Sequence, residues 1–150
     1  CEIISKHKMK LVIKLHPTFD ILNISENIKE KFPNVQVIEK GDIDALIRKC
    51  SSLIVTGFST VIVQGQILQK PIISIPLIDY NWGKPSVYTE NSCLLIELEE
   101  LSLNLKKIHN DPIFKKQIIE NGNKFLKNCL KNKDNSSKMI WNYIKNMCID

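Results

Sequence analysis

The segment from Ser51 to Ile75 constrains the fold more than any other part of this 150-residue chain. Its sequence, SSLIVTGFSTVIVQGQILQKPIISI, predicts a strand, a tight turn, a helix and a second strand. Ser52–Thr56 is apolar and β-branched, and Gly57 allows a turn conformation that other residues avoid. Two buried strands joined by a short helix form a βαβ unit, and such units build parallel sheets.

The rest of the chain continues this alternation. Further strands are predicted over Lys10–Leu15, Val35–Glu39 and Ser92–Leu98, and helices over Phe19–Phe32, from Asp42 through Ile47, over Glu99–Asn110, from Asp111-Pro112 onward, and around Met139 to Met147. Leu77–Asn91 is predicted to be a long irregular loop. The order predicts an α/β fold with a Rossmann-like, doubly wound, mainly parallel sheet, helices on both faces, and C-terminal helices closing the domain.

Composition supports one soluble domain over residues 1–150. The hydrophobic share is 43% and the charged share 25%, and no apolar run approaches the roughly 20 residues that span a bilayer. The five cysteines are scattered and lack C-x-x-C spacing, so we expect reduced thiols in a cytoplasmic protein, with no zinc site. Because the chain begins with Cys1, we expect a piece of a longer protein or a trimmed one.

The net charge is +5, with many lysines that are spread along the chain and somewhat concentrated in the C-terminal third. A solvated surface explains most of them, but the charge would also attract a nucleotide, an anionic polymer or the anionic inner face of a membrane, so peripheral association there is a partner hypothesis. Arg48 is the only arginine, and no aromatic-studded strand of the RNA-binding kind is present. We therefore expect no nucleic-acid partner.

Polar residues follow three of the predicted strands. His16 follows the first, Lys40-Gly41 the second, and Gly57-Phe58-Ser59-Thr60 the third. Because the carboxyl ends of parallel strands share one edge of a sheet, these groups are expected to converge where open α/β sheets bind ligands. An imidazole, an ammonium, two hydroxyls and a helix N-terminus suit a diphosphate or phosphodiester, without a metal ion.

Each of these residues also has a purely structural explanation. Ser59 and Thr60 could serve only as a helix cap, and Gly41 only as a turn residue. Gln64 lies one helical turn beyond Thr60 and can share its face, or can sit at a partly exposed edge. Tyr80 and Trp82 could stack on a base or sugar, or could anchor their loop.

The ordered sequence motifs resemble the C-terminal, donor-binding half of GT-B-fold transferases. They are KLHP at Lys14–Pro17 and GDIDALIRKCSSLIVTGFSTVIVQGQILQKPIISI at Gly41–Ile75. The pattern is most similar to CDP-glycerol glycerophosphotransferases and capsule-polysaccharide, polysialyltransferase-like enzymes. These carry His-Pro after a strand, a Ser-Ser or Ser-Thr pair before a helix, and often a small residue followed by Lys-Pro-Ile, where this chain has Gln69. NKDNSSKMIWNYI, from Asn132, resembles the helix start that closes this domain type.

The resemblance implies a role for each matching position. His16 and the Gly57 turn, with Ser59 and Thr60, would bind the donor phosphates, while Lys40-Gly41 would pass near the base. The donor would be a CDP-, CMP- or UDP-linked substrate, with no other cofactor. Gln64 stands where such proteins often have an acidic residue facing the donor, and a neutral amide cannot act as a base.

The family's acceptor site and its usual general base belong to an N-terminal domain that this chain does not have room for. The resemblance therefore implies the nucleotide-binding half of a metal-independent transferase of surface polysaccharide or wall-polymer synthesis, inactive alone and with its catalytic residues unknown. A UDP-N-acetylhexosamine 2-epimerase-like enzyme and a non-catalytic α/β module that binds a ligand or partner are the alternative hypotheses.

Overall fold

A computed structural model of the protein describes residues 1–7, 9–16, 24–77, 83–130 and 135–147. Its strands are β1 (Val12–Lys14), β2 (Gln36–Ile38), β3 (Leu53–Thr56), β4 (Ile72–Ile75) and β5 (Leu94–Leu95). Its helices are α1 (Glu2–Lys6), α2 (Ile24–Lys31), α3 (Ile43–Lys49), α4 (Val61–Ile67), α5 (Ser86–Thr89), α6 (Leu101–Asn110), α7 (Pro112–Cys129) and α8 (Ser136–Met147), with a 3₁₀ turn at Leu98–Glu100 before α6.

All strand pairs in the described residues are parallel. β1 pairs with β2, with Val12 opposite Gln36, while β3 pairs with β4, which in turn pairs with β5. Helices connect the paired strands, and this confirms the predicted α/β class with parallel strands flanked by helices. Within the described parts of the chain, the backbone hydrogen bonds nevertheless form two separate ladders, β1–β2 and β3–β4–β5, whereas the sequence predicts one sheet.

The three-stranded ladder is covered on both faces, because alternate residues of β4 point to opposite sides. Ile73 and Ile75 belong to one apolar cluster, which includes residues of α1, α6 and α7: Ile4, Leu101, Leu105, Ile108 and Ile118. Ile72 belongs to a second cluster, with Val55, Ile62, Val87, Cys93 and Phe125. Every residue of β4 is buried, as expected for the central strand of a covered sheet.

α7 joins the two faces. It packs against α6 and against α4. Ile118, nearer its start, belongs to the first cluster, and Phe125, in its last turns, to the second. Asp111 caps the helix, since its Oδ1 accepts hydrogen bonds from the Ile113 and Phe114 N–H groups at 3.0 and 2.9 Å, and Pro112 occupies the first turn, as the sequence predicted.

Three elements differ most from prediction. α1 was not predicted, and the predicted irregular loop Leu77–Asn91 contains the single-turn helix α5. The predicted strand Ser92–Leu98 shrinks to β5, because the Glu97 N–H instead donates to the Glu100 side chain at 3.0 Å and opens a 3₁₀ turn. α2 begins at Ile24, whereas the first part of the predicted helix Phe19–Phe32 lies outside the described residues.

α8 is amphipathic, as the sequence predicted, but its side chains are exposed from residue 136 through residue 146. Among the described residues, no helix is both long enough and apolar enough to cross a membrane.

Candidate functional site

The turn after β3 lies at the carboxyl end of the β3–β4–β5 ladder, beside the end of the buried strand β4. Gly57 has a φ of 80°, a left-handed conformation that favours glycine. Its N–H donates to the Ile75 carbonyl at 2.8 Å, so the amide extends the β3–β4 ladder by one residue. The chain then leaves the sheet, and Phe58, 41% exposed, is the first side chain of the turn.

Ser59 and Thr60 lie at the beginning of α4, as predicted, but they have different roles there. Ser59 Oγ accepts a hydrogen bond from the Val61 N–H at 3.3 Å, and the Ser59 carbonyl accepts one from Ile62 at 3.1 Å. Thr60 is exposed and its hydroxyl makes no capping hydrogen bond. Ser59 therefore stabilises the beginning of α4, whereas the Thr60 hydroxyl does not cap the helix.

An aromatic pair flanks this turn. Phe58 and Tyr88 meet edge to face, with 6.4 Å between ring centroids and an interplanar angle of 77°. The Tyr88 hydroxyl hydrogen-bonds the Oγ of Ser74, a buried residue of β4, at 2.9 Å. α5 is thus fixed to the sheet beside the turn. The sequence places Phe58 in this turn without assigning it a role, and it places Tyr88 in the predicted irregular loop, with no signal that the two rings would meet.

The carboxyl ends of β1 and β2 carry the second group of predicted residues. His16 is exposed two residues after β1, and Lys40 and Gly41 are exposed after β2. Lys14, which was not predicted as a site residue, joins the two strand ends, because its Nζ donates to the Leu15 carbonyl at 2.6 Å and to the Glu39 carbonyl at 3.0 Å. Its ammonium adds positive charge to the strand ends near His16 and Lys40.

The region around Lys40 also carries negative charge. Glu39 forms an ion pair with Lys29 at 3.8 Å, with both side chains about half exposed. Asp42 caps α3, as predicted, because its Oδ1 accepts from the Asp44 and Ala45 N–H groups at 2.9 and 3.3 Å. The Glu39 carboxylate is thus paired with Lys29, and the Asp42 carboxylate with backbone N–H groups. Lys14 and Lys40 provide ammonium groups at the ends of β1 and β2.

The structure therefore groups the predicted residues by ladder. His16, Lys40 and Gly41 lie at the carboxyl ends of β1 and β2, whereas Gly57, Ser59, Thr60 and Gln64 lie at or beyond the carboxyl end of β3. The two ladders share one core, since Leu11, just before β1, and Ile54 of β3 pack against the same apolar cluster. No strand pairing in the described residues joins β1 to β3.

Two glutamines of α4 have contrasting environments. Gln64 is half-buried, and its backbone N–H donates to the Thr60 carbonyl at 3.2 Å, one turn earlier as predicted. Gln66 is buried, and its Nε2 donates to the Ser92 carbonyl at 3.0 Å and to Ser92 Oγ at 2.8 Å. Among the described residues, Gln66 Oε1 has no hydrogen-bond partner. Gln66 therefore has a structural role, and Gln64 is the one that remains partly accessible.

The sequence predicts no metal site and offers Tyr80 and Trp82 as residues that could stack on a base or sugar. Within the described parts of the chain, no three His, Cys, Asp or Glu side chains are grouped as a metal ion would require. Pro17, Tyr80 and Trp82 lie outside the described residues, as do residues 131–134 of the segment that resembles the closing helix start.

One sequence motif of the resemblance has a structural explanation. In Lys70-Pro71-Ile72, the Lys70 ammonium donates to the Arg48 and Cys50 carbonyls, both at 2.8 Å, at the carboxyl end of α3. The Pro71 carbonyl accepts from the Leu53 N–H at 3.0 Å and so begins the β3–β4 ladder. The lysine thus satisfies the terminal carbonyls of a helix and does not lie at the candidate site.

No known family model matches the sequence, and no curated protein matches it. Among solved structures, the chain is similar to the glycosyltransferase SnogD from Streptomyces nogalater, with a TM-score of 0.53 and 14% sequence identity. The match covers 75% of this chain and 38% of that chain. At this identity the likeness concerns the fold alone: the chain has the Rossmann-like α/β fold of a GT-B-type domain, and it spans well under half the length of the glycosyltransferase it matches.

Proposed function

We propose that the chain is the donor-nucleotide-binding half of a glycosyltransferase or glycerophosphotransferase that acts in surface-polysaccharide or wall-polymer synthesis. The observation that carries this proposal is the likeness of three quarters of the chain to part of a glycosyltransferase. The polar groups at the strand carboxyl ends support it, because ligands of open α/β folds bind at that edge.

In the proposed complex, the donor's phosphates bind between the two ladders. Thr60 donates from its exposed hydroxyl, Ser59 holds the turn, and His16 approaches from the end of β1. Lys14 and Lys40 supply the positive charge that offsets the phosphates, so that no metal ion is required. The Lys40-Gly41 turn contacts the base through its backbone, and Gln64 hydrogen-bonds a hydroxyl of the transferred group.

Phe58 extends this proposal beyond the residues predicted from sequence. Its ring lies beside Tyr88, which is itself hydrogen-bonded to the sheet, and the Phe58 side chain is 41% exposed. A flat apolar surface next to a phosphate-binding turn suits stacking against a base or a sugar ring. Phe58→Ala would weaken nucleotide binding, while Phe58→Tyr, which keeps the ring, would not.

The reaction would need a second domain. An acceptor hydroxyl, activated by a base on that domain, would attack the donor carbon or phosphorus, and the nucleotide would leave with its phosphate charge neutralised here. The side chains assigned to the donor (His16, Ser59, Thr60, Gln64) include no carboxylate, so we expect the isolated chain to bind the nucleotide without catalysing transfer. The same lack of a carboxylate disfavours the epimerase hypothesis, which requires acid–base groups at the sugar.

Calorimetric titration with CMP, UDP and CDP-glycerol tests the binding. We expect weak binding of at least one of them, and a loss of about tenfold or more in affinity for His16→Ala and Thr60→Ala, as for the removal of a charge-assisted hydrogen bond. His109→Ala, which removes an exposed histidine in the last turn of α6, is the matched control and should bind like the unchanged chain.

Two results would contradict the proposal. The absence of heat with all three nucleotides at millimolar concentration would remove the donor-binding role. Binding that survives both His16→Ala and Thr60→Ala would favour the non-catalytic module, since a nucleotide would then bind somewhere other than the strand ends.

A further inference from the structure

The C-terminal helix α8 presents an apolar surface that no described part of the chain covers. Tyr143 is 68% exposed and Ile140 60% exposed, and Met139, Trp141 and Ile144 are exposed to similar extents. Large apolar side chains scattered singly on a surface need no explanation, but a contiguous set on one helix indicates an interaction surface.

The spacing of these residues places them on one side of the helix. Met139 and Tyr143 are four residues apart, as are Ile140 and Ile144, so the four share one face. Trp141 lies at the border of that face, three residues from Ile144.

The lysines of α8 lie on its other side and meet the apolar face at Trp141. Lys138 and Lys145 are three and four residues away from Trp141, and the Lys145 ammonium lies 5.3 Å from the centroid of the indole ring. An aliphatic face, lysines on the opposite side and a tryptophan at the border between them are typical of helices that lie flat at a membrane–water interface.

The charge of the chain is strongly uneven in the same region. Residues 124–147 contain six lysines and a single aspartate, so this segment alone accounts for the whole net charge of +5. α8 itself contains no acidic residue. Lys124 and Lys127 on the last turns of α7 are exposed as well. The rest of the chain is electrically balanced, so the basic character belongs to the segment that carries the open apolar face.

We propose that α8 binds the surface of an anionic membrane, with its apolar face inserted among the acyl chains and Lys138 and Lys145 at the level of the lipid phosphates. Charge complementarity favours this occupant over a second copy of the chain, because an anionic surface attracts the lysines of this segment, whereas α8 of a second copy contains no carboxylate with which they could pair. The inference is independent of the proposed donor site, which lies on other elements.

Vesicle binding by the full 150-residue chain tests the proposal. In a Trp82→Phe background Trp141 is the only tryptophan, and its fluorescence then reports on α8 alone. We expect a blue shift and co-sedimentation with vesicles of phosphatidylcholine containing about one third phosphatidylglycerol. Because each lysine near an anionic surface strengthens binding about fivefold, the partition coefficient should exceed that for pure phosphatidylcholine by more than about tenfold and fall with added salt.

Matched variants distinguish membrane binding by α8 from binding by other exposed apolar side chains. Ile140→Ser and Ile144→Ser should each lower the partition coefficient by about tenfold, and Lys138→Gln and Lys145→Gln by about fivefold each. Ile113→Ser and Leu103→Ser, which remove comparably exposed apolar side chains from α7 and α6, should change nothing. Because the apolar face of α8 is exposed, all four α8 variants should keep the melting temperature of the unchanged chain, and this shows that they fold.

Three outcomes would overturn the proposal. Equal partitioning into neutral and anionic vesicles would exclude the role of the lysines. Vesicle binding unaffected by Ile140→Ser and Ile144→Ser would place the membrane contact elsewhere. A dimer in analytical ultracentrifugation that these variants dissociate, without any vesicle binding, would show that a second copy covers α8.

Discussion

The two ladders in the described residues differ in how helices cover them. In β3–β4–β5, helices lie on both faces and β4 is buried throughout. In β1–β2, every residue of both strands is exposed or half-buried, and a lysine side chain bridges the strand ends. We therefore expect the β3–β4–β5 ladder to contribute most of the stability of the fold. The β1–β2 ladder contributes groups that a ligand can reach, and the candidate site includes residues from the ends of both ladders.

The largest expected effect comes from shortening one isoleucine in each ladder to alanine. Ile73→Ala removes a fully buried side chain from β4 and should cost about 2–5 kcal/mol of unfolding free energy, since transfer and cavity terms add. Ile13→Ala in half-buried β1 should cost about 1 kcal/mol. Urea unfolding followed by circular dichroism measures both. Equal losses would mean that the two ladders are equally important to stability.

A second prediction concerns close packing behind β3 and β4. A Cβ at Gly65 would lie 2.8 Å from Leu53 Cδ2 and 2.9 Å from Ile72 Cδ1, so Gly65→Ala should destabilise the chain by about 1–3 kcal/mol despite the better helix propensity of alanine. Shortening the neighbour with Leu53→Val should recover part of that loss in the double variant. If the two losses simply add, the clash with Leu53 is not the cause.

The hydrogen bond between Ser74 and Tyr88 tests how α5 is held to the covered ladder. Tyr88→Phe leaves the buried Ser74 hydroxyl without this partner and should cost about 1–2 kcal/mol. Ser74→Ala should cost a similar amount, and the double variant little more than either one, because the second change removes the group that the first left unpaired. A double-mutant cycle from thermal or urea unfolding gives the coupling directly, and full additivity would contradict it.

The last prediction concerns a loss of stability that is absent at neutral pH and develops only at alkaline pH. Burial beside β5 raises the pKa of the Cys93 thiol from 9.0 to about 12. Below pH 9 both folded and unfolded chains keep this proton, so it contributes no pH dependence there. From pH 9 toward 12 the unfolded chain loses the proton first, and stability falls as the pH rises. Cys93→Ala should unfold with a shallower alkaline slope, whereas Cys129→Ala, at an exposed thiol, should match the unchanged chain.

The elements that were predicted well are those with local signals. The β3–α4–β4 unit follows from two apolar runs around Gly57, and the starts of α3 and α7 follow from Asp42 and Asp111, whose caps are made within three residues. α1, α5 and the bond between Gln66 and Ser92 depend on contacts between distant parts of the chain, which no short pattern contains. Strand topology likewise predicted which residues lie at carboxyl ends, but not that they would divide between two ladders.

The 18-residue helix α7 has a consequence for the smallest fragment that can fold. Because its first half completes one apolar cluster and Phe125 completes the other, a truncation before Phe125 would open at least one of the two clusters. We therefore expect the minimal folding unit to extend at least through Leu126, the last buried residue of the helix. α8 lies beyond that limit. Deleting α8 should therefore remove the proposed membrane contact while leaving the stability of the sheet unchanged.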